Sequence, residues 1–419
     1  MENVVNFFNL RENGLIYAED VSVVDLANKY GTPLYIYSKA TLERHYKAFD
    51  SAADGVSHLI CYAVKANSNL AILQLMSNLG AGFDIVSGGE LARIVEAGGD
   101  PRKVVYSGVA KTIQEIEYAL NLNILCFNVE SESEMKRIND VALRLGKIAP
   151  ISIRVNPDVD AGTHPYISTG LKTNKFGVPI ERAYNLYKMS QNMKGIEIEG
   201  IDCHIGSQLT SIDPFTASLD RLLCLIDRLE SEGIVLKHID IGGGLGVVYN
   251  DEIPPEPMEY LSAVKSKLSG RKLKLICEPG RAMVANAGIL VAKCEYLKKG
   301  EVRDFCIVDT AMNDMIRPSL YHAWMKIEEA NKSLQRESNT YDIVGPICET
   351  GDFLGKDRVL SVAPGDFLVM RGAGAYGFSM SSNYNSRPRS AELMVDKAKV
   401  NVIRDRESIS DLWLHEHKL

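Results

Sequence analysis

Two residues far apart in the sequence could share one piece of chemistry. Lys65 closes the apolar run LICYAVKAN (59–67), and Glu278 sits in LKLICEPGR (273–281), near the end of another such run. An amine and a carboxylate at the same end of two parallel strands suit a carbonyl cofactor with a ring nitrogen. The amine would hold the carbonyl as a Schiff base, and the carboxylate would partner the nitrogen. That combination describes pyridoxal 5′-phosphate (PLP). Taken singly, each residue is weaker evidence, because a lysine at a strand end is most often a solvated charge.

The elements that must position them repeat. Strand-like runs occur at 59–67, 82–87, 103–108, 124–129, 150–157, 196–207, 236–244 and 273–281, separated by stretches with helical spacing such as GELARIVEAGG (89–99). Strands apolar on both faces and alternating with helices predict a parallel sheet covered by helices. Eight such units predict a closed (β/α)₈ TIM-type barrel. After about residue 283 the strand-like runs lose their intervening helices, which predicts an antiparallel β-sandwich or barrel-like C-terminal domain. The expected division is a PLP-binding barrel over 35–283 and a β domain from 284–419, to which residues 1–34 contribute. The polar, glycine-rich stretch 158–177 follows a barrel strand and is read as a lid over the catalytic face.

A barrel of this kind carries its active site at the carboxyl ends of its strands. Those ends collect Lys65, Asp84, Ser107, Asn128, Arg154, His204 with Ser207, the run Gly242–Gly243–Gly244, and Glu278 with Gly280 and Arg281. Several have bland alternatives: a helix cap for Asp84, an ion pair for Arg154, a core position for His204, a tight turn for the glycines. Together they form a set that a purely structural barrel has no use for. The glycine run lacks the spacing of a dinucleotide or Walker loop, so it suits backbone donation to a phosphate instead.

The bulk properties exclude other classes. The 419 residues are 46% hydrophobic and 24% charged, with a net charge of −7. No basic stripe suggests nucleic acid, and no run approaches the roughly 18 apolar residues of a membrane helix. The N-terminus, with Glu2 and no long apolar core, makes a poor secretory signal. Eight scattered cysteines with no zinc spacing argue for a reducing, cytoplasmic setting and against a metal site.

The chain resembles the fold-type III PLP-dependent decarboxylases, which share an alanine racemase-like barrel, and among them the branch acting on diaminopimelate. The resemblance spans nearly the whole length and rests on AVKAN (63–67), FDIVSGGE (83–90), HIGSQ (204–208), GGGLG (242–246), EPGR (278–281), RPSLY (317–321), CET (348–350) and GAGAY (372–376). It implies that Lys65 carries the cofactor, that His204 stacks on its ring and that Glu278 pairs with the ring nitrogen. It assigns the phosphate to Ser207, the glycines, the backbone of 278–281 and Tyr376. Asp84 and Arg154 complete the cofactor set. Arg281, Arg317 and Tyr321 resemble ligands of a distal carboxylate, Glu349 a partner of a distal amine, Tyr376 a further substrate contact, and Cys348 a proton donor. The last two are implied to come from the neighbouring subunit of a head-to-tail homodimer. Related racemases place an arginine against the ring nitrogen, so Glu278 favours decarboxylation. The implied substrate is meso-2,6-diaminopimelate and the implied product L-lysine. The alternatives are a decarboxylase of carboxynorspermidine or ornithine, or a non-catalytic regulatory relative, which would be expected to lose Lys65 or Cys348.

Overall fold

Strands that carry apolar side chains on both faces need cover on both, and eight runs of the chain find it by closing on themselves. The structure, a computed structural model, describes residues 7–159 and 175–419. It divides into two units, one comprising His45–Val247 with Ile253–Ala282, the other Met1–Arg44, Val248–Glu252 and Met283–Leu419.

In the first unit the barrel strands are β1 (His58–Ala63), β2 (Gly82–Ile85), β3 (Val104–Tyr106), β4 (Cys126–Val129), β5 (Ala149–Asn156), β6 (Ile196–Asp202), β7 (His238–Asp240) and β8 (Lys274–Cys277). All pair in parallel. The cylinder closes where β8 meets β1, with Cys277 opposite Ile60. This is the eight-stranded barrel expected from the sequence. Leu59, Cys61, Val105, Cys126 and Ile276 form one buried cluster, so the cysteines serve as small core residues. Burial holds the thiols of Cys61, Cys126 and Cys277 well above the usual range.

The helices between strands begin at side-chain caps. Ser87 Oγ accepts from Glu90 N at 3.2 Å at the start of Gly88–Glu96. Thr112 and Glu115 form a reciprocal capping box before Ile113–Leu122, and Ser131 caps Glu132–Arg144. Each such cap is worth about 1 kcal/mol. Because Ser87 is the cap in FDIVSGGE, Asp84 is not the cap that its sequence neighbourhood allowed.

The second unit is built on a mixed sheet in the order Phe353–Leu360, Asn339–Val344, Asp304–Val308, Gly288–Lys298, Leu34–Ser38, Ala391–Asp396, Lys399–Arg404. Most pairings are antiparallel. Asp304–Val308 with Asn339–Val344, and Leu34–Ser38 with Ala391–Asp396, are parallel. Leu34, Ile36, Ile289, Val291, Val369, Leu393 and Val395 fill its core. Phe8–Leu10, Ile16–Ala18 and Val21–Ser22 form a small sheet of their own. The boundary drawn from the sequence between residues 34 and 35 therefore cuts the strand Leu34–Ser38, whose partners all lie in this sheet. Among the described residues no helix is long and apolar enough to cross a membrane.

Candidate active site

Lys65 lies in the single 3₁₀ turn Val64–Ala66 directly after β1. Its Nζ donates to Asp84 Oδ2 at 3.0 Å, and the Asp84 side chain is fully buried. Across the same barrel face, Glu278 follows β8. Its backbone N–H donates to Gly242 O at 2.8 Å, and Asn128 Nδ2 reaches its Oε1 at 3.5 Å. Burial first, then the neighbouring Asp240, Asp84 and Asp202, hold the Glu278 carboxyl well above the usual range, with Lys65 opposing them. His204, partly buried, follows β6, and its Nδ1 accepts from Gly243 N at 3.1 Å. Burial, with Lys65 and Arg154 nearby, pushes the imidazole well below its ordinary value. A neutral ring is the result. Arg154 is buried and donates from Nη1 to Glu130 Oε1 at 2.8 Å. Asn128 Nδ2 also donates to Ser107 Oγ at 3.1 Å.

The glycine run is dictated by close approach of three strand-end segments. Gly242 and Gly244 have φ of +67° and +111°, where a side chain is strained. A Cβ at Gly243 would stand 2.2 Å from Glu278 O, and one at Gly244 would stand 2.4 Å from Gly206 O. A Cβ at Gly280 would meet the Cβ atoms of Ala63 and Ala66 at 3.0 and 3.3 Å. The segment after β7 thus interlocks with those carrying Ser207 and Glu278. The N–H of Gly243 donates to His204, so in this structure Gly243 orients the imidazole. Arg281, also buried, begins the short helix that follows.

The second unit carries the other sequence-identified residues. Arg317 and Tyr321 bound the helix Arg317–Tyr321, and the buried Arg317 guanidinium lies 4.3 Å from the centre of the Tyr249 ring. Cys348 and Glu349 are exposed. Tyr376 is half-buried with φ of 56°. It follows a glycine pair in which a Cβ at Gly374 would strike Val284 O at 1.8 Å. Most of the expected lid, residues 160–174, lies outside the described residues.

A lysine poised on an acid, a buried carboxyl on the same barrel face and a neutral imidazole make a specific set, and comparison with known proteins names the family that carries it. Residues 39–285 match the family model for the pyridoxal-dependent decarboxylase, pyridoxal binding domain. The chain is 58% identical over 416 residues to the diaminopimelate decarboxylase of Vibrio cholerae serotype O1, covering 99% of this chain and 100% of that protein. It is 59% identical over 413 residues to the Haemophilus influenzae enzyme of the same name, covering 98% and 99%.

The chain belongs to the diaminopimelate decarboxylase family.

The crystal structure of the Helicobacter pylori diaminopimelate decarboxylase complexed with L-lysine superposes with a TM-score of 0.91 at 43% identity, over 94% of this chain and 98% of that one. The M. jannaschii diaminopimelate decarboxylase, in co-complex with L-lysine, gives 0.93 at 37%, over 98% of each chain.

Within this decarboxylase barrel the sequence reading passed over two acids. Asp202 ends β6 and Asp240 ends β7, each two residues before a residue it did single out. Carboxylate oxygens of Asp202, Asp240 and Glu278 lie within 4.8 Å of one another. Asp240 Oδ1 accepts from Gly242 N at 2.9 Å, and burial, with Asp84 adding to it, pushes its carboxyl up to about 7. Asp202 stands 3.8 Å from Arg154 Nε. The signal was present in IEGIDCHIGS and HIDIGGG, where an acid interrupts an apolar run.

The residues fit the pyridoxal group. Asp84 Oδ1 and Asp240 Oδ2 are buried with no hydrogen-bond partner among the described residues. Carboxyls crowded in this way attract a cation. A flat ring with a protonable nitrogen would meet that demand beside Glu278, with the neutral imidazole of His204 available to its face and the glycine backbone, where side chains have no room, available to a phosphate.

Proposed function

We propose that the protein is a PLP-dependent carboxy-lyase that converts meso-2,6-diaminopimelate to L-lysine and CO₂. The observation that carries this reading is the pairing of Lys65 with Asp84 opposite the buried Glu278, in a chain 58% identical to a member of this family over 416 residues. When bound, PLP supplies the electron sink for the pair left behind as CO₂ departs.

The chain's own residues do the rest. Lys65 provides the amine that holds the cofactor, and Asp84 orients it. Glu278, which burial and its neighbouring acids keep protonated on its own, would pass that proton to the ring nitrogen and stand beside it as the carboxylate that raises the nitrogen's pKa. His204, neutral and fixed by Gly243, would offer its face to the ring. Arg154 would balance the charge of Glu130 and Asp202. Ser207, Gly244, Gly280 and Tyr376 hold the phosphate. Arg281, Arg317 and Tyr321 take the distal carboxylate, where the planar guanidinium fork suits bidentate contact. Glu349 takes the distal ammonium, and Cys348 delivers the proton to the carbon that lost CO₂.

We further propose a head-to-tail homodimer in which Cys348 and Glu349 act in the partner's site, which fits their exposure. A cytoplasmic setting fits the eight free cysteines. The barrel unit, His45–Val247 with Ile253–Ala282, would be the cofactor domain. The test is CO₂ release from a panel of diamino acids with PLP present, followed by borohydride reduction and peptide mapping. Diaminopimelate should be preferred, with the label on Lys65. Better turnover of carboxynorspermidine or ornithine, or a label elsewhere, would overturn the assignment.

A further inference from the structure

Cys348 and Glu349 sit in a turn that the rest of the β unit grips from several sides. Asp352 accepts from Ile347 N at 2.9 Å and from Met312 N at 2.7 Å. Ser319, on the Arg317–Tyr321 helix, donates to Gly351 O at 2.8 Å. These bonds set the base of the turn. The two functional residues are held by a different segment, Asn383–Ser386. Asn385 Oδ1 accepts from Cys348 N at 2.8 Å. Tyr384 OH donates to Glu349 Oε1, and that bond raises the Tyr384 pKa. Asn385 and Ser386 both have positive φ, 56° and 54°, a conformation asparagine tolerates better than most residues. Two consecutive left-handed residues turn the chain so that neighbouring side chains reach two neighbouring targets. The segment is itself tied down, since Asn383 Nδ2 donates to Arg387 O at 3.0 Å and to Glu407 Oε2 at 2.6 Å.

We infer that Tyr384 and Asn385 are positioning residues: Tyr384 aims the Glu349 carboxylate at the distal ammonium of the substrate, and Asn385 fixes the backbone from which Cys348 delivers its proton. The inference rests on the roles proposed above for Glu349 and Cys348. A carboxylate with one oxygen held by a phenol has lost most of its rotational freedom, and its other oxygen remains to meet a cation. Tyr384 would therefore govern selection of the distal amine. Asn385 would govern turnover of every substrate, because the carbon that receives the proton is common to all.

The test compares the holoenzyme on diaminopimelate and on 2-aminopimelate, which differs only in lacking the distal amine. Glu349→Gln should shrink the ratio of kcat/KM between the two. Tyr384→Phe should shrink it by about tenfold, mainly through KM for diaminopimelate. A loss shared equally by both substrates is what a merely structural role gives, and it would overturn the assignment of Tyr384. If Glu349→Gln leaves the ratio intact, the reading of Glu349 fails and the role of Tyr384 fails with it. If Glu349→Gln collapses the ratio and Tyr384→Phe does not, the positioning role alone fails. Asn385→Gly keeps the backbone conformation and removes the acceptor, so it should lower kcat on both substrates by about tenfold. Asn385→Asp restores the acceptor and should recover most of kcat. Unchanged kcat in the glycine variant, or an equal loss in both, would overturn the assignment of Asn385.

Discussion

On the barrel face Asp84, Asp240 and Glu278 are 1%, 0% and 5% exposed, whereas in the β unit Cys348 and Glu349 stand in the open. Asp240 and Glu278 lie close enough to affect each other's protonation, and the partners of all three acids come from strand ends fixed by the barrel's closure. The exposed pair is held by hydrogen bonds from a neighbouring loop, Asn383–Ser386. A buried cluster cannot be adjusted one member at a time, because each charge is part of its neighbours' surroundings. An exposed loop can be adjusted singly, but it needs cover from elsewhere before it can do chemistry in a dry site. That contrast is what a site completed by a second subunit predicts.

The most severe way to break the barrel half is Lys65→Ala. Loss of the amine should lower turnover at least ~1,000-fold and remove the visible absorbance of bound cofactor. Retained activity would show that the reactive lysine lies elsewhere. Glu278→Gln is expected to be next, with kcat reduced by roughly 100-fold or more. Cofactor occupancy should stay near normal, since the phosphate contacts and the lysine are untouched. Unchanged turnover would remove the electron-sink role of the carboxylate.

The contrast also accounts for what was legible in the sequence. The eight barrel strands announced themselves because both their faces are apolar, and reading their carboxyl ends gathered Lys65, Asp84, His204 and Glu278. The strand Ala391–Asp396 carries no clear apolar alternation, although it lies inside the β sheet, because Glu392 interrupts its pattern. Glu392 is fully buried and reconciled by Tyr37 OH at 2.7 Å and Arg404 Nε at 2.5 Å, partners distant in sequence. Asp202 and Asp240 escaped for a related reason: their environment is made by other strands. Tyr384 and Asn385 lie 35 and 37 residues from the groups they hold, in a loop with no periodicity to flag it.

The β-unit half is sharpened by complementation. Lys65→Ala and Cys348→Ala dimers should each be nearly inactive. If the two residues serve one site from different chains, a mixed dimer has one site with both defects and one intact. Random exchange makes about half the dimers mixed, so activity should return to roughly a quarter of wild type. Verified mixed dimers with no recovery would place both residues of a site in the same chain and dissolve the contrast drawn above.

The smallest expected effect is on stability, and its sign follows from the buried cluster. Asp240 has a carboxyl raised to about 7 in the folded chain, against roughly 4 when unfolded. Between those values the native state keeps a proton that the unfolded state releases. Stability therefore falls as pH rises through this window, and the penalty is complete above the folded value. The amide introduced by Asp240→Asn would carry no charge and would still accept from Gly242 N. In cofactor-free protein this variant should gain on wild type by roughly 2–4 kcal/mol as pH rises from about 4 to about 8. Glu278, raised by the same neighbours, should keep part of the slope in the variant. Removing the Asp240 charge also relieves Glu278, so Asp240→Asn with Glu278→Gln should gain less than the two changes summed. Urea unfolding across this range measures each difference. A gain independent of pH would mean that the Asp240 carboxyl titrates normally, and that burial and the neighbouring acids do not hold its proton.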